Sequence, residues 1–384
     1  MALGVLFRVH LWGESHGCCV GALLEGVPPG LRVDPDYIDR ELERRRPGRR
    51  YTTPRREPDR VEILSGVYMG YTTGAPIMLL IRNRDVDSSF YEETVRWRPR
   101  PGHADLPARL RAMGFEDYRG GGPFSGRLTA GLVAAGAVAK LLLRWYGVEV
   151  YAYLRRLAGA ECRAPMPASP GELEALRERR DRSPVFCPDE GSTREMEEAL
   201  REAVARGGSA GGVVEVLALG VPPGLGEPLG DSLDGDMARA FFAIPGVKAV
   251  EFGTGTGLPE MTGLEAADRI VVDRGEGSIR LEPGHGGGVL GGLSTGSPIV
   301  ARIHLKPTST IPGPLATIDW RGLREAELRG RGRHDPAIAI RAVPVAEAAA
   351  AIVLADHLLR WLPYRTGHYL RLERGLIKGG DEEP

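Results

Sequence analysis

The segment Gly66–Ile81 (GVYMGYTTGAPIMLLI) aligns without gaps on Gly288–Ile303 (GVLGGLSTGSPIVARI), with eight identities in sixteen positions. GALLEGVPPGL, from Gly21 to Leu31, is likewise echoed by EVLALGVPPGL, from Glu215 to Leu225. A long apolar stretch after Arg127 ends in Leu143, Arg144 and Trp145; its counterpart, Val345 to Trp361, ends in Leu359, Arg360 and Trp361. Each half therefore reads as strand, Pro-Pro-Gly turn and helix, then a hairpin with Thr-Gly-x-Pro-Ile, then a long Ala-rich helix. Offsets of 194, 222 and 216 residues are too long for a solenoid. The pattern predicts an α+β fold from an internally duplicated unit, its halves related by a pseudo-twofold axis, with helices covering one face of each half's sheet. The half-repeats span about 1–150 and 213–365 of a single domain over 1–384.

Between the halves, the charged, Pro-rich stretch 162–212 reads as an exposed peripheral excursion, with a capping box from Ser192 to Glu195. The tail 379–384 is expected to fray. With 384 residues and 42% hydrophobic content the chain can bury a large core. Net charge is −1, but the positive charge comes from 46 arginines and only four lysines, and the single amide side chain is Asn83, which fits heat adaptation. Cys18, Cys19, Cys162 and Cys187 have no CxxC or zinc-site spacing, so no metal is expected; Cys18 and Cys19 are expected in a buried strand. MALGVLFRVH reads as a first strand and not as a signal peptide, and the apolar stretch 128–143 carries Lys140 and the small-residue texture of a buried helix. A cytoplasmic protein with no membrane partner is the expectation.

Three of the eight histidines sit in polar Gly-, Pro- or Arg-rich segments far apart in the chain: WGESHG (His16), RPRPGHAD (His103) and GRGRHDP (His334, followed by Asp335). Histidine titrates nearest neutrality, and irregular backbone lets its ring reach a ligand, so these loops are candidates for one assembled active site. Taken singly, each is as consistent with a turn filler, and Asp335 with a turn residue. The run from Arg40 to Arg60 holds nine arginines, each offering a planar fork for phosphate or carboxylate. The run also admits a nucleic-acid contact or a solvated surface paired with Glu41, Glu43, Glu57 and Asp59. YRGGGPFSGRLTAGL (Tyr118 to Leu132) leads glycines through Ser125 and Arg127 into a helix, a second candidate anion site. GTGTG (Gly253 to Gly257) and PGHGGGVLGG (Pro283 to Gly292) lack the strand, helix and acid of a dinucleotide fingerprint. Lys306, one of four lysines, precedes a Thr/Ser loop where a point ammonium would suit a ligand.

With these segments in order, the sequence resembles the chorismate synthase family over nearly its whole length. GESHG with EGVPPG, RRRPG with RYTTPRREPDRVEILSGV, RPGHAD, YRGGG with SGR, GVPPGLGEP, LGG with STG, KPTST, and GRHDP with RAVPVAEA all look like that family's segments. The resemblance implies a layered β-α-β sandwich assembled into a homotetramer. It implies conversion of 5-enolpyruvylshikimate 3-phosphate to chorismate and phosphate by anti 1,4-elimination, with reduced FMN required but no net redox change. By this resemblance His16 would protonate the reduced flavin, His103 would donate a proton near the departing phosphate, and Asp335, kept ionised by its cationic surroundings, would be the base. Arg45, Arg50, Arg100, Arg127 and Arg333 would hold the phosphate and carboxylates of the substrate. Flavin contacts would come from Arg45, Arg50, Arg333, Pro123, Phe124, Ser125, Pro245, Gly246, Gly291, Lys306, Pro307, Thr308, Ser309 and Thr310. Pro123, Phe124, Gly126, Pro245 and Gly284 depart from the commoner pattern, which puts side-chain contacts to flavin at those loops in question. Reduction of the flavin by NADPH within this chain is left open. The rival readings are a nucleic-acid-binding module built on the arginine run and an oxidoreductase that consumes NAD(P)H.

Overall fold

The computed structural model describes residues 2–167, 169–273, 278–331 and 334–373. The first half contains β1 (Ala2–Leu3), β2 (Arg8–Gly13), β3 (Cys19–Glu25), α1 (Pro35–Arg45), β4 (Val61–Ile63), β5 (Val67–Tyr68), β6 (Tyr71–Thr72), β7 (Ile77–Arg82), α2 (Asp105–Arg111) and α3 (Thr129–Arg144). Then come β8 (Glu149–Leu157), β9 (Ala160–Glu161), α4 (Pro170–Arg182), α5 (Glu190–Gly207), β10 (Gly212–Leu219), α6 (Leu233–Phe242), β11 (Val247–Phe252) and α7 (Gly263–Ala266). The chain closes with β12 (Ile270–Asp273), β13 (Ser278–Leu281), β14 (Val289–Leu290), β15 (Leu293–Ser294), β16 (Ile299–Leu305), β17 (Pro314–Asp319), β18 (Arg324–Arg329) and α8 (Ile338–Glu373).

Two five-stranded antiparallel sheets carry the repeat, in the orders β1-β2-β3-β7-β4 and β9-β8-β10-β16-β11, so each strand of one has a counterpart in the other. The correspondence extends to single hydrogen bonds. Thr72 Oγ1 donates to Pro28 O (2.6 Å) and accepts from Leu31 N (2.9 Å). Ser294 Oγ does the same with Pro222 O (2.6 Å) and Leu225 N (2.8 Å). A small hydroxyl thus pins each Pro-Pro-Gly turn to its hairpin.

Side chains on β7 and β16 alternate, with Ile77, Leu79 and Ile81, and Ile299, Ala301 and Ile303, fully buried. Each buried Ile or Leu contributes roughly 1.5–3 kcal/mol. α3 and α8 fill the layer between the sheets and cross at near-backbone contact: a Cβ on Gly136 would lie 2.3 Å from the Ala348 Cβ. The segments 126–144 and 338–364 are long and apolar enough to cross a membrane by length and composition, but most of their residues lie buried within the protein. Lys140 is accommodated there because its ammonium donates to Glu41 (2.9 Å) and Glu347 (2.7 Å). Glu347 also accepts from Arg44 (2.7 Å), Ala152 N (2.9 Å) and Arg180. Burial alone would raise the Glu347 carboxyl's pKa, but Arg44, Lys140 and Arg180 hold it well below the usual range.

Three expectations need correction. The excursion is not peripheral: Leu173, Leu176, Val185, Phe186, Met196 and Leu200 are buried, Arg180 reaches the core carboxylate, and Cys162 and Cys187 form a disulfide. The capping box does not form, because α5 starts earlier, with Asp189 capping Ser192 N (2.7 Å) while Ser192 Oγ accepts from Arg163 N (3.2 Å). Cys18 is exposed and Cys19 half-buried, since on β3 the core positions are Val20, Ala22 and Leu24 and strand alternation turns Cys19 outward. The 379–384 tail lies outside the described residues.

Candidate active site

A cleft of about 1370 Å³ gathers loops from both halves. The end of α1 supplies Arg45, and the segment after the π-helical turn Tyr91–Val95 supplies Arg100, His103 and Asp105. The glycine run contributes Gly120, Gly121, Pro123, Phe124, Ser125 and Arg127. The second half adds Pro245 and Gly246 before β11, Lys306 to Thr310 after β16, and His334, Asp335 and Arg341 at the start of α8. Ten basic side chains line it against five acidic ones among the described residues, so its field favours an anionic ligand.

His103 and Arg100 share one carboxylate, Asp105. Arg100 Nε and Nη2 donate to its two oxygens (2.7 and 2.8 Å), Arg100 N donates to Oδ2 (3.0 Å), and His103 Nδ1 lies 2.6 Å from Oδ1. Burial would raise the Asp105 carboxyl's pKa, but the hydrogen bonds from Arg100 and His103 hold it well below the ordinary range. The sequence reading quoted this acid in RPGHAD without assigning it a role; its position two residues after the histidine was the available signal.

His16 stands behind the wall of the cleft, with Ser15 at its surface. Its Nδ1 is hydrogen-bonded to Ser88 Oγ (2.8 Å), and its ring meets Tyr91 edge-on at 5.1 Å. Burial, then the Arg55 guanidinium, push its pKa down to about 4. The glycines of the YRGGG loop admit both rings: Gly120, Gly121 and Gly122 have φ of 59°, 83° and 50°. The Ser15 hydroxyl is buried and has no hydrogen-bond partner among the described residues.

Arg45 and Arg127 line the cleft, but much of their hydrogen-bonding capacity is already used. Arg45 donates to Thr129 Oγ1 (3.0 Å), Asp59 Oδ2 (3.0 Å) and Gly126 O (2.9 Å). Arg127 donates to Asn83 Oδ1 (2.7 Å), Arg82 O (3.1 Å) and the other Asp59 oxygen. Burial, and then the neighbouring Arg341, lower the Arg45 pKa to about 9, against the opposing pull of Asp59. Asp59, one of the acids expected to pair with the arginine run at a solvated surface, is instead fully buried, at a φ of 46°. Asp335 accepts from Thr53 N (2.9 Å) and Arg341 Nη1 (2.9 Å), so Arg341 is its cation. Lys306 Nζ donates to Ser309 Oγ (2.7 Å) and Gly102 O, tying the KPTST loop to the His103 loop. Burial, then Lys248, lower the pKa of Lys306.

Other expected residues lie elsewhere. Arg50 points away and pairs with Glu197 of α5 (2.9 Å), its side chain 66% exposed. Gly291 forms the turn between β14 and β15 at a φ of 61°, away from the cleft. A side chain at Gly284 would meet the Asp268 carboxylate at 2.1 Å, which explains the glycine there. Arg333 lies outside the described residues. Part of the arginine run is spent on acids of the same chain, Arg44 on Glu347 and Arg55 on Glu57 inside the molecule and Arg46 on Glu43 and Arg60 on Asp39 at its surface.

The chain is similar to known proteins over most of its length. A family model described as chorismate synthase matches residues 7–359. The chain is 56% identical to the chorismate synthase of Aeropyrum pernix over 360 residues, covering 93% of this chain and 92% of that one. It is 50% identical to that of Thermococcus gammatolerans, covering 93% and 97%. A solved structure titled as the crystal structure of chorismate synthase superposes with a TM-score of 0.71 at 31% identity, covering 93% of this chain and 92% of that one.

Proposed function

The chain belongs to the chorismate synthase family of lyases, and on that premise we propose that it eliminates phosphate from 5-enolpyruvylshikimate 3-phosphate to give chorismate, with reduced FMN as cofactor and as a homotetramer in the cytoplasm. In the reaction the C–O bond to phosphate breaks and a hydrogen leaves from the opposite face as a proton, without net redox change. The observation that carries the reading is the basic cleft in which His103, Arg100 and Asp335 converge from distant loops. A substrate with one phosphate and two carboxylates suits its charge.

The loops present fit a flavin phosphate and ring: the Lys306–Thr310 loop, Pro245, Gly246 and Ser125 border the same cleft, and Ser15 offers an unpartnered hydroxyl. Reduced FMN, when bound, supplies electron density that assists loss of a weakly acidic C–H hydrogen. Pro123 and Phe124 would contribute apolar and backbone contacts. Arg100 would bind the substrate phosphate through Nη1, the nitrogen not committed to Asp105, while Arg45 and Arg127, each donating from all three nitrogens within the protein, would act mainly through their field. His103 would deliver a proton to the departing phosphate. Asp335, with lone pairs left on both oxygens, would accept one. His16, neutral at pH 7 in the unliganded protein, would act as an acid only after an adjacent negative charge raises its pKa.

The test is anaerobic phosphate release from the substrate with dithionite-reduced FMN, with oxidised FMN and without flavin, at high temperature. Release only with reduced flavin, which is not consumed, is expected; no release from folded protein would overturn the reading. An arm with NADPH and oxidised FMN tells whether this chain reduces its own flavin.

A further inference from the structure

We propose that Asp105 is a positioning residue: it holds the His103 ring with a proton on Nδ1 and leaves Nε2 as the atom that exchanges a proton with an oxyanion ligand in the cleft. The inference rests on the lyase reading for its catalytic consequence, but the ring's state is a property of the free protein.

The argument is one of donors and acceptors. Asp105 Oδ1 and His103 Nδ1 lie 2.6 Å apart, a hydrogen-bond distance. A carboxylate only accepts, so Nδ1 must carry the proton; a lone pair there would face a lone pair on Oδ1. Arg100 Nη2, which carries two hydrogens, also lies 3.1 Å from Nδ1 and 3.4 Å from Nε2; one hydrogen goes to Asp105 Oδ1 at 2.8 Å, and with Nδ1 protonated the other can reach only the Nε2 lone pair. With Nδ1 engaged at 2.6 Å, Nε2 has only the long 3.4 Å approach of Arg100 Nη2 and is the ring nitrogen that a ligand can take. To give a proton from Nε2 the ring must become an imidazolium, and the anionic Asp105 against Nδ1 is the group that supports that cation.

The same geometry dictates what an amide would do. Oδ2 accepts two N–H groups, Arg100 N (3.0 Å) and Arg100 Nε (2.7 Å), so in Asp105→Asn the amide oxygen must take that place. The amide NH₂ then faces His103 Nδ1, which has to become an acceptor. The proton moves to Nε2, and the imidazolium loses its support.

The experiment is multiple-bond ¹H–¹⁵N NMR on the full-length, ¹⁵N-histidine-labelled protein, with His103 assigned by the signal lost in His103→Ala. Wild type should show the Nδ1–H form and Asp105→Asn the Nε2–H form. Turnover of Asp105→Asn should fall by at least ~10²-fold in kcat, with KM changed only a few fold, and Asp105→Glu should recover at least about tenfold of the loss. A wild-type ring protonated on Nε2, an unchanged ring in Asp105→Asn, or undiminished kcat would each overturn the proposal. If Asp105→Asn does not fold, the wild-type spectrum and Asp105→Glu decide. Failure of the wild type to release phosphate would overturn the lyase reading while leaving the ring assignment standing.

Discussion

His16 and His103, from two distant loops, lean on neighbouring glycines of one left-handed turn: a Cβ on Gly120 would fall 2.3 Å from the His16 ring, and one on Gly121 2.9 Å from that of His103. The glycine run thus sets the separation of the two rings as well as offering backbone to a ligand. Gly120→Ala combines that clash with a φ of 59° and is expected to cost about 1–3 kcal/mol of stability and most of the turnover. Urea denaturation and anaerobic phosphate release check both parts. Wild-type stability and turnover in Gly120→Ala would refute the packing argument.

The pH dependence of stability follows from His16. Its folded pKa, about 4, lies below the unfolded 6.5, so between those values the unfolded chain binds more protons. The contribution is fully present above pH 6.5 and is lost as pH falls towards 4. His334 and His357, both lowered chiefly by burial, act in the same direction. His16→Gln should flatten the slope of unfolding free energy in that window without changing it above pH 7, as denaturant titrations at several pH values would measure.

The crowded guanidinium groups of Arg45, Arg127 and Arg341 predict that a simple anion stabilises the free protein. Inorganic phosphate at ten times its Kd should add about 1.4 kcal/mol, seen as a rise in Tm, and the rise should shrink in Arg100→Ala. An equal rise in sodium chloride at matched ionic strength would mean general salt stabilisation instead of binding.

Removing Glu347 leaves three buried cations, Lys140, Arg44 and Arg180, to share only Glu41 and Asp181. Glu347→Ala should destabilise the fold by roughly 3–5 kcal/mol, whereas turnover at a temperature where the variant is folded should persist. Because the carboxyl is held far below its ordinary pKa, this stability is lost only at strongly acid pH. Calorimetry with activity assays separates the two effects.

The disulfide between Cys162 and Cys187 closes a loop of 25 residues. In the chain-entropy account its removal costs about 3–4 kcal/mol. A double Cys→Ala variant should melt lower than the oxidised protein and show no response to reductant. Equal melting of wild type with and without reductant, after full reduction is verified by thiol titration, would count against any stabilising role.

Much of the architecture was legible before any coordinates. The duplication, the matched Pro-Pro-Gly turns and the Ala-rich helices are written in residue types whose preferences act within a few positions, and the paired hydroxyls of Thr72 and Ser294 show how literally the halves correspond. The three histidine segments were legible as irregular loops for the same reason, since glycine and proline mark such backbone wherever they stand, and His103 and His334 border the cleft. The capping box was misread because Ser192 and Asp189 are both competent caps, and local chemistry alone does not rank them.

Sequence by itself determined the repeat, the helix and strand periods and which histidines stand on irregular loops, because those depend on short-range conformational preference and on burial patterns. Only the tertiary structure decided which acid serves which arginine: Asp59 for Arg45 and Arg127, Asp105 for Arg100 and His103, Glu347 for Lys140, and Glu197 for Arg50. In a chain with 46 arginines and 51 acids, almost any pairing is chemically permitted. The choice is made by distance and by the cost of burying a charge without its partner, and both exist only once the layers have closed.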